Sequence, residues 1–216
     1  MRRVVILGLT GSIGMGKSTV ARQFAAEGTV PFDADAAVHE LLEPGGRAVG
    51  PVAAVFPGVA RGEGRRRWID RAALGARVFG DPAATARLEA IVHPLVRACE
   101  ARFLRRAAAR RVALVVLDIP LLFETGGERR CDAVVVVTAP RFVQRRRVLS
   151  RPGMTPARLA AIQARQMPDH EKRKRADFIV PTGLGMATSL QAVRRVVRIV
   201  SRWRGRHWPP PAHWQR

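Results

Sequence analysis

Gly11-Ser12-Ile13-Gly14-Met15-Gly16-Lys17-Ser18 follows the spacing GxxxxGK[ST], a pattern suited to gripping a chain of phosphates. Glycines let backbone N–H groups turn inward around phosphate oxygens with no Cβ in the way, and a helix starting at the lysine adds the positive end of its dipole. Lys17 can then place a mobile charge on β- and γ-phosphates, while the Ser18 hydroxyl can ligate Mg²⁺. Residues Gly11, Ser12, Ile13, Gly14, Met15, Gly16, Lys17, Ser18 and Thr19 are therefore the expected binding loop for ATP with Mg²⁺.

Phosphoryl transfer to an alcohol also needs a carboxylate that orients the hydroxyl and accepts its proton. Asp33-Ala34-Asp35 follows a short apolar run, which places Asp33 at the carboxyl end of a strand, where open α/β sheets hold their ligands. Asp33 is the candidate base. It could instead cap the helix from Ala36 to Leu42, although Asp35 fits that supporting role better. Leu114-Val115-Val116-Leu117-Asp118 has the form of a strand ending in an acid, and two readings fit Asp118: a place in the Mg²⁺ shell, or a cap.

A third group is basic. Between Arg141 and Arg175 eleven Lys/Arg face two acids, Asp169 and Glu171. Arg147 and Arg151 stand four apart and share one face of a helix. Their planar guanidinium groups can clamp phosphate oxygens and neutralise charge on the transferring group. A segment that swings over the site would also exclude water. The alternative for any single arginine is a solvated helix face, and Arg165, Lys172, Arg173, Lys174 and Arg175 are expected at the surface.

These residues need a scaffold that brings distant segments together. Val4 to Thr10 is an almost unbroken apolar run ending in the glycine-rich turn, the pattern of a central parallel strand covered on both faces. Ser18 to Phe24 continues with helical spacing. Thr29 to Phe32, Val112 to Leu117, Ala133 to Thr138 and Phe178 to Val180 read as further strands of one parallel sheet, alternating with helices. Residues 43–81 are rich in Gly, Pro and Arg and read as a short helix and loops. Ala83 to Arg111 is helical in composition, and His93-Pro94 predicts a break into two helices. Residues 140–167 predict a helical arm, and Ala187 to Trp203 a closing amphipathic helix. The tail, 204–216, is expected to be a mobile extension.

With 216 residues the chain can bury a core without disulfides or structural metal, and one globular unit is expected. Cys99 and Cys131 form no ligand cluster, which fits two buried thiols in a reducing cytoplasm. The first residues lack a cleavage site, and no apolar run is long enough to span a bilayer, so a soluble protein is expected. The net charge of +21 is the compositional outlier and points to an anionic partner. Only Lys17, Lys172 and Lys174 among the 38 basic residues are lysines, so much of the excess reads as a general arginine preference.

Taken in order, these motifs resemble the dephospho-CoA kinase family from Val4 to about Val200. The resemblance is carried by Gly8 to Val20, Asp70-Arg71 with Leu74 and Val78-Phe79, Leu88-Glu89 with Ile91 and His93-Pro94, and Asp118 to Glu124. Gln144 with Arg147 and Arg151, Gln166-Met167-Pro168 with Lys172, and Ala176-Asp177 complete it. It implies an α/β fold: a three-layer P-loop kinase core with a parallel sheet flanked by helices, a helical substrate region near 43–111 and an arginine-rich lid near 140–168. The domain would span 1–203. The implied reaction is ATP-dependent phosphorylation of the ribose 3′-hydroxyl of dephospho-CoA, with Asp33 as base. Pro120, Leu121, Leu122, Phe123 and Glu124, with the region around His93, would wall the substrate cleft; His93 itself can equally pack or cap. Where the family usually has Asn before a glycine after the last strand, this chain has Thr182-Gly183, so an adenine contact does not carry over to Thr182.

A cytoplasmic, monomeric enzyme without membrane or specific nucleic-acid partner is expected. Two rivals remain open: a P-loop kinase for a nucleoside or nucleotide, and a nucleic-acid-binding protein switched by ATP. The second needs aromatics interleaved with bases, whereas aromatics make up 6% of the chain and tyrosine is absent.

Overall fold

The structure, a computed structural model, describes residues 4–209. Five strands form its main sheet: β1 (Val5–Thr10), β2 (Val30–Asp33), β5 (Leu114–Asp118), β6 (Ala133–Thr138) and β7 (Phe178–Pro181), in the order β2-β5-β1-β6-β7. Two short strands, β3 (Ala60–Arg61) and β4 (Trp68–Ile69), pair antiparallel on their own. The β1 strand is central, parallel to β5 on one side and to β6 on the other.

Every residue of β1 and β5 is buried, as expected of strands covered on both faces. Val5, Leu7 and Leu9 point alternately to one face. There they pack with Val20 and Phe24 of α1 (Lys17–Ala26) and Val193, Val196 and Val200 of the closing helix Met186–Val200.

Where one globular unit is expected, the described residues divide into two compact units, one made of 4–32 and 104–209, the other Asp33–Phe103. The second unit has its own core because its helices each bury an apolar stripe against the others. It comprises α2 (Ala34–Leu42), α3 (Val49–Val55), the β3–β4 hairpin, α4 (Arg71–Val78) and most of α5 (Pro82–Ala109). Leu41, Val52, Ile69 and Leu74 meet Leu88, Ile91, Leu95 and Cys99 in that core. Asp70, one of the residues carrying the family resemblance, caps α4 by accepting the Ala72 and Ala73 N–H groups and pairs with Arg61 at 3.2 Å.

Pro94 does not break the helix: α5 runs unbroken for 28 residues with the proline inside. A proline in a helix interior costs about 3 kcal/mol through its missing N–H and its clash with the preceding turn. The apolar positions 88, 91, 95 and 99 keep one phase across it, so the same face stays buried on both sides and packing offsets the penalty.

The arm after β6 is also divided. It comprises α6 (Arg141–Leu149) and α7 (Pro156–Ala164), separated by a turn containing Pro152 and Gly153 and restarted by the Thr155 hydroxyl, which accepts the Arg158 N–H at 3.2 Å. Then follow α8 (Asp169–Lys174) and, after β7, α9 (Met186–Val200). Of the expected tail, 204–209 has specific partners. The Arg206 N–H donates to Asp132 at 2.6 Å, Trp208 is buried, and Gly205 lies so close to the Val4 carbonyl that no Cβ would fit. Residues 210–216 lie outside the described residues.

Candidate active site

The loop between β1 and α1 turns on two glycines in the left-handed region, Gly14 (φ 76°) and Gly16 (φ 90°), which L side chains rarely adopt. Gly16 is also the residue from which α1 starts, so its turn sets where the first N–H groups of the helix point. Lys17 opens α1, and its ammonium pairs with the Asp118 carboxylate at the end of β5. Asp118 is 4% exposed, so β1 and β5, side by side, bring a buried acid to the lysine. Ser18 is exposed on the first turn of α1.

The loop is clamped from outside. The Thr182 hydroxyl donates to the Met15 carbonyl at 2.6 Å and accepts from Arg147 Nη1 at 3.0 Å, while Arg147 Nη2 donates to the Thr182 carbonyl at 2.7 Å. A Cβ on Gly16 would sit 3.4 Å from that Arg147 nitrogen, so the guanidinium lies against the loop. Arg151 does not share its position. The helix ends at Leu149, and Arg151 is exposed in the following turn, which corrects the expectation of a common face.

Beside the loop a cavity of about 740 Å³ opens in the first unit, lined by Ser12 and Met15, residues 138–141 and 166–170, and Pro181, Gly183 and Leu184. That volume lies within the range of about 300–1,000 Å³ usual for small-molecule sites.

Asp33 ends β2 and begins α2, where its Oδ1 accepts the Ala36 N–H at 3.0 Å. The cap therefore falls on Asp33, and Asp35 lies in the first helical turn. The reason is register: the strand runs one residue further than its apolar pattern suggests and leaves Asp33 in extended geometry. His93 is half-buried in the middle of α5, not at a helix end.

In the turn after β5, Pro120 and Leu121 keep part of their surface, whereas Leu122 is fully buried and Phe123 lies 5.1 Å under the Arg175 guanidinium. Glu124 pairs at 2.9 Å with Lys172, which is fully buried, contrary to the expectation of a surface charge. Among titrating groups Glu171 lies below the ordinary carboxylate value, mainly through its hydrogen bond from exposed Lys174.

The comparisons agree with this architecture. The CoaE dephospho-CoA kinase family model matches residues 5–185, and a dephospho-CoA kinase of Rhodospirillum rubrum is 58% identical over 204 residues, 93% of this chain and 95% of that protein. The chain belongs to the dephospho-CoA kinase family. A dephospho-CoA kinase of Paramagnetospirillum magneticum is 63% identical over 168 residues, 78% of this chain and 77% of that protein. Among solved structures, a Thermus thermophilus protein superposes with a TM-score of 0.77 at 36% identity, covering 92% of this chain and 98% of that one. A dephospho-CoA kinase from Campylobacter jejuni gives 0.62 at 26% identity with the same coverage.

Membership sets aside the nucleic-acid switch as the chain's class, and the parallel sheet with flanking helices is the expected fold of this kinase family. Sequence reasoning missed Thr182 as the partner of Arg147, and Gln144 and Gln166 as partners of the loop. A buried glutamine four residues into an arginine-rich helix was the available signal for the second.

Proposed function

We propose that this member of the dephospho-CoA kinase family transfers the γ-phosphoryl group of ATP to the ribose 3′-hydroxyl of dephospho-CoA, giving coenzyme A and ADP. The observation that carries the reading is the loop 11–19, with its two left-handed glycines and Lys17 at the start of α1 beside a cavity of nucleoside size.

Backbone N–H groups of the loop and the start of α1 would hold the β- and γ-phosphates. Lys17, which pairs with Asp118, would place its charge on the phosphate oxygens. Arg147, held against Gly16 by Thr182, would neutralise charge gathering on the transferring group. Arg151 would join it from the turn after α6. Hydroxyl and carboxylate oxygens are the donors Mg²⁺ takes, with phosphate and water filling its other positions, so Ser18 and Asp118 fit the ion. When bound, the ion would supply neutralising charge for the phosphates.

Asp33 is the base: one oxygen caps α2, and a carboxylate has a second for the acceptor hydroxyl. Pro120, Leu121, Phe123 and Glu124, with the buried Leu122, are the proposed acceptor wall of the first unit, and His93 is a proposed acceptor contact of the second. The nucleoside would enter the cavity by the backbone of Pro181, Gly183 and Leu184, because the Thr182 side chain is committed to Met15 and Arg147. A cytoplasmic monomer suits the reading, and no helix among the described residues is long and apolar enough to cross a membrane.

An ADP-release assay with Mg²⁺ and ATP, offering dephospho-CoA beside nucleosides and nucleotides, tests the substrate. Turnover is expected with dephospho-CoA alone; equal turnover with a nucleoside would refute the assignment.

A further inference from the structure

Both backbone polar groups of Ile13, in the two successive peptides that flank it, are held by side chains from distant elements. Its N–H donates to Gln166 Oε1 at 3.0 Å, and its carbonyl accepts from Gln144 Nε2 at 2.8 Å. Gln144 is 5% exposed, and its own oxygen accepts from Gln163 Nε2 at 3.2 Å. A glutamine with its nitrogen on a carbonyl and its oxygen on an amide has one consistent orientation, so this network is fully specified. The following residues are fixed as well: Gly14 abuts Val148 and the Gln144 carbonyl, and the Ala139 N–H donates to Met15 Sδ at 3.1 Å.

Gln166 lies in the linker between α7 and α8, and its neighbour continues the connection. The Met167 N–H donates to Glu124 at 2.7 Å, and Glu124 pairs with buried Lys172. Lys172 reaches the Pro120 carbonyl at 3.5 Å, which also accepts the Thr10 hydroxyl at 2.9 Å. Thr10 is the residue before Gly11, so the polar chain leaves the phosphate loop at one end and returns to it at Ile13.

We propose that Gln166 and Gln144 are positioning residues for the phosphoryl donor. They fix the two peptides flanking Ile13, which sets the direction of the loop amides that follow. Through Met167 and Glu124, Gln166 also makes the loop's shape depend on the segment 120–124. Neither glutamine touches the reacting atoms. The inference rests on the triphosphate reading of the loop.

The test uses full-length Gln166→Leu and Gln144→Met, which remove the hydrogen bonds at similar volume, and Gln166→Glu, which keeps an acceptor for the Ile13 N–H. In nucleotide-free protein, hydrogen exchange of the Ile13 amide is expected to accelerate in Gln166→Leu and to stay protected in Gln166→Glu. In the steady state, loss of either hydrogen bond should raise KM for ATP about fivefold while KM for dephospho-CoA stays put. The double variant should fall well short of the product of the two, because both side chains fix the backbone of one residue. Unchanged Ile13 exchange in Gln166→Leu overturns the proposal, as do equal rises of both KM values alongside a lower melting temperature. ATP that fails to bind the wild-type protein sinks the triphosphate reading instead, so the two failures are told apart.

Discussion

A carboxylate has two oxygens, and at Asp33 one of them already accepts the Ala36 N–H at 3.0 Å. Capping and proton acceptance can therefore be separated by substitution. Asparagine caps about as well as aspartate but cannot take a proton, so Asp33→Asn should lose nearly all turnover while the melting temperature and the Kd for ATP stay close to wild type. Asp33→Ala should lose the same activity and about 1 kcal/mol of stability besides. If Asp33→Asn keeps substantial turnover, the residue is only a cap. Lys17→Ala differs in kind: it should weaken ATP binding as well as turnover, and it leaves the largely buried Asp118 without its ammonium partner. Isothermal titration with ATP distinguishes the two phenotypes. The loop and the helix that starts at Lys17 were legible from spacing, since GxxxxGKS between a strand and a helix allows little else. The partner of Lys17 was not, because pairing across two parallel strands depends on sheet order, and nothing local in Leu114 to Asp118 states which strand lies beside it.

Elements were legible where one period dominates. The β1, β5 and β6 strands are solid apolar runs and stand within a residue or two of expectation. The hairpin of β3 and β4 was not, because two-residue strands carry no period. At α5 a local rule and a longer pattern conflicted, and the pattern won: 88, 91, 95 and 99 hold one face through Pro94. Lys172 shows the same limit from the other side. In a run of four basic residues, 172–175, composition says surface, yet α8 turns Lys172 inward onto Glu124 and the Pro120 carbonyl. Removing one partner of a buried pair strands the other charge, at about 3–5 kcal/mol, so Lys172→Met should lower stability steeply in urea unfolding. Lys172→Met with Glu124→Gln should recover a good part of that loss, because no charge is then left alone. A single variant as stable as wild type would show the pair to be energetically idle. Thr182→Val is the milder case. It leaves the Met15 carbonyl without its 2.6 Å donor and Arg147 without one acceptor, a loss of about 1–3 kcal/mol that Thr182→Ser should largely restore.

At the scale of the molecule the charge of +21 remains to be placed. Two explanations compete: an evolved polyanion surface, or arginine used broadly with a few basic groups doing chemistry. The described structure favours the second. Arg175 is engaged with Phe123 and Glu128, Arg194 with Glu27, and Arg61 with Asp70, while Arg147 lies against the phosphate loop. The large exposed aromatics among the described residues number three, Trp68 in β4, Phe79 just after α4 and Phe142 in α6, few for a stacking platform. Scattered arginines still attract any polyanion at low salt, because counterion release depends on the number of phosphates neutralised and not on a designed surface. Fluorescence anisotropy with a labelled 20-base-pair duplex and a matching single strand should thus show binding near 20 mM salt that is lost by about 150 mM, with no preference between sequences. ATP should not alter it, since binding to scattered arginines does not depend on what the phosphate loop holds. Binding that survives physiological salt, or that ATP switches on or off, would restore the nucleic-acid reading as a second activity of the same kinase.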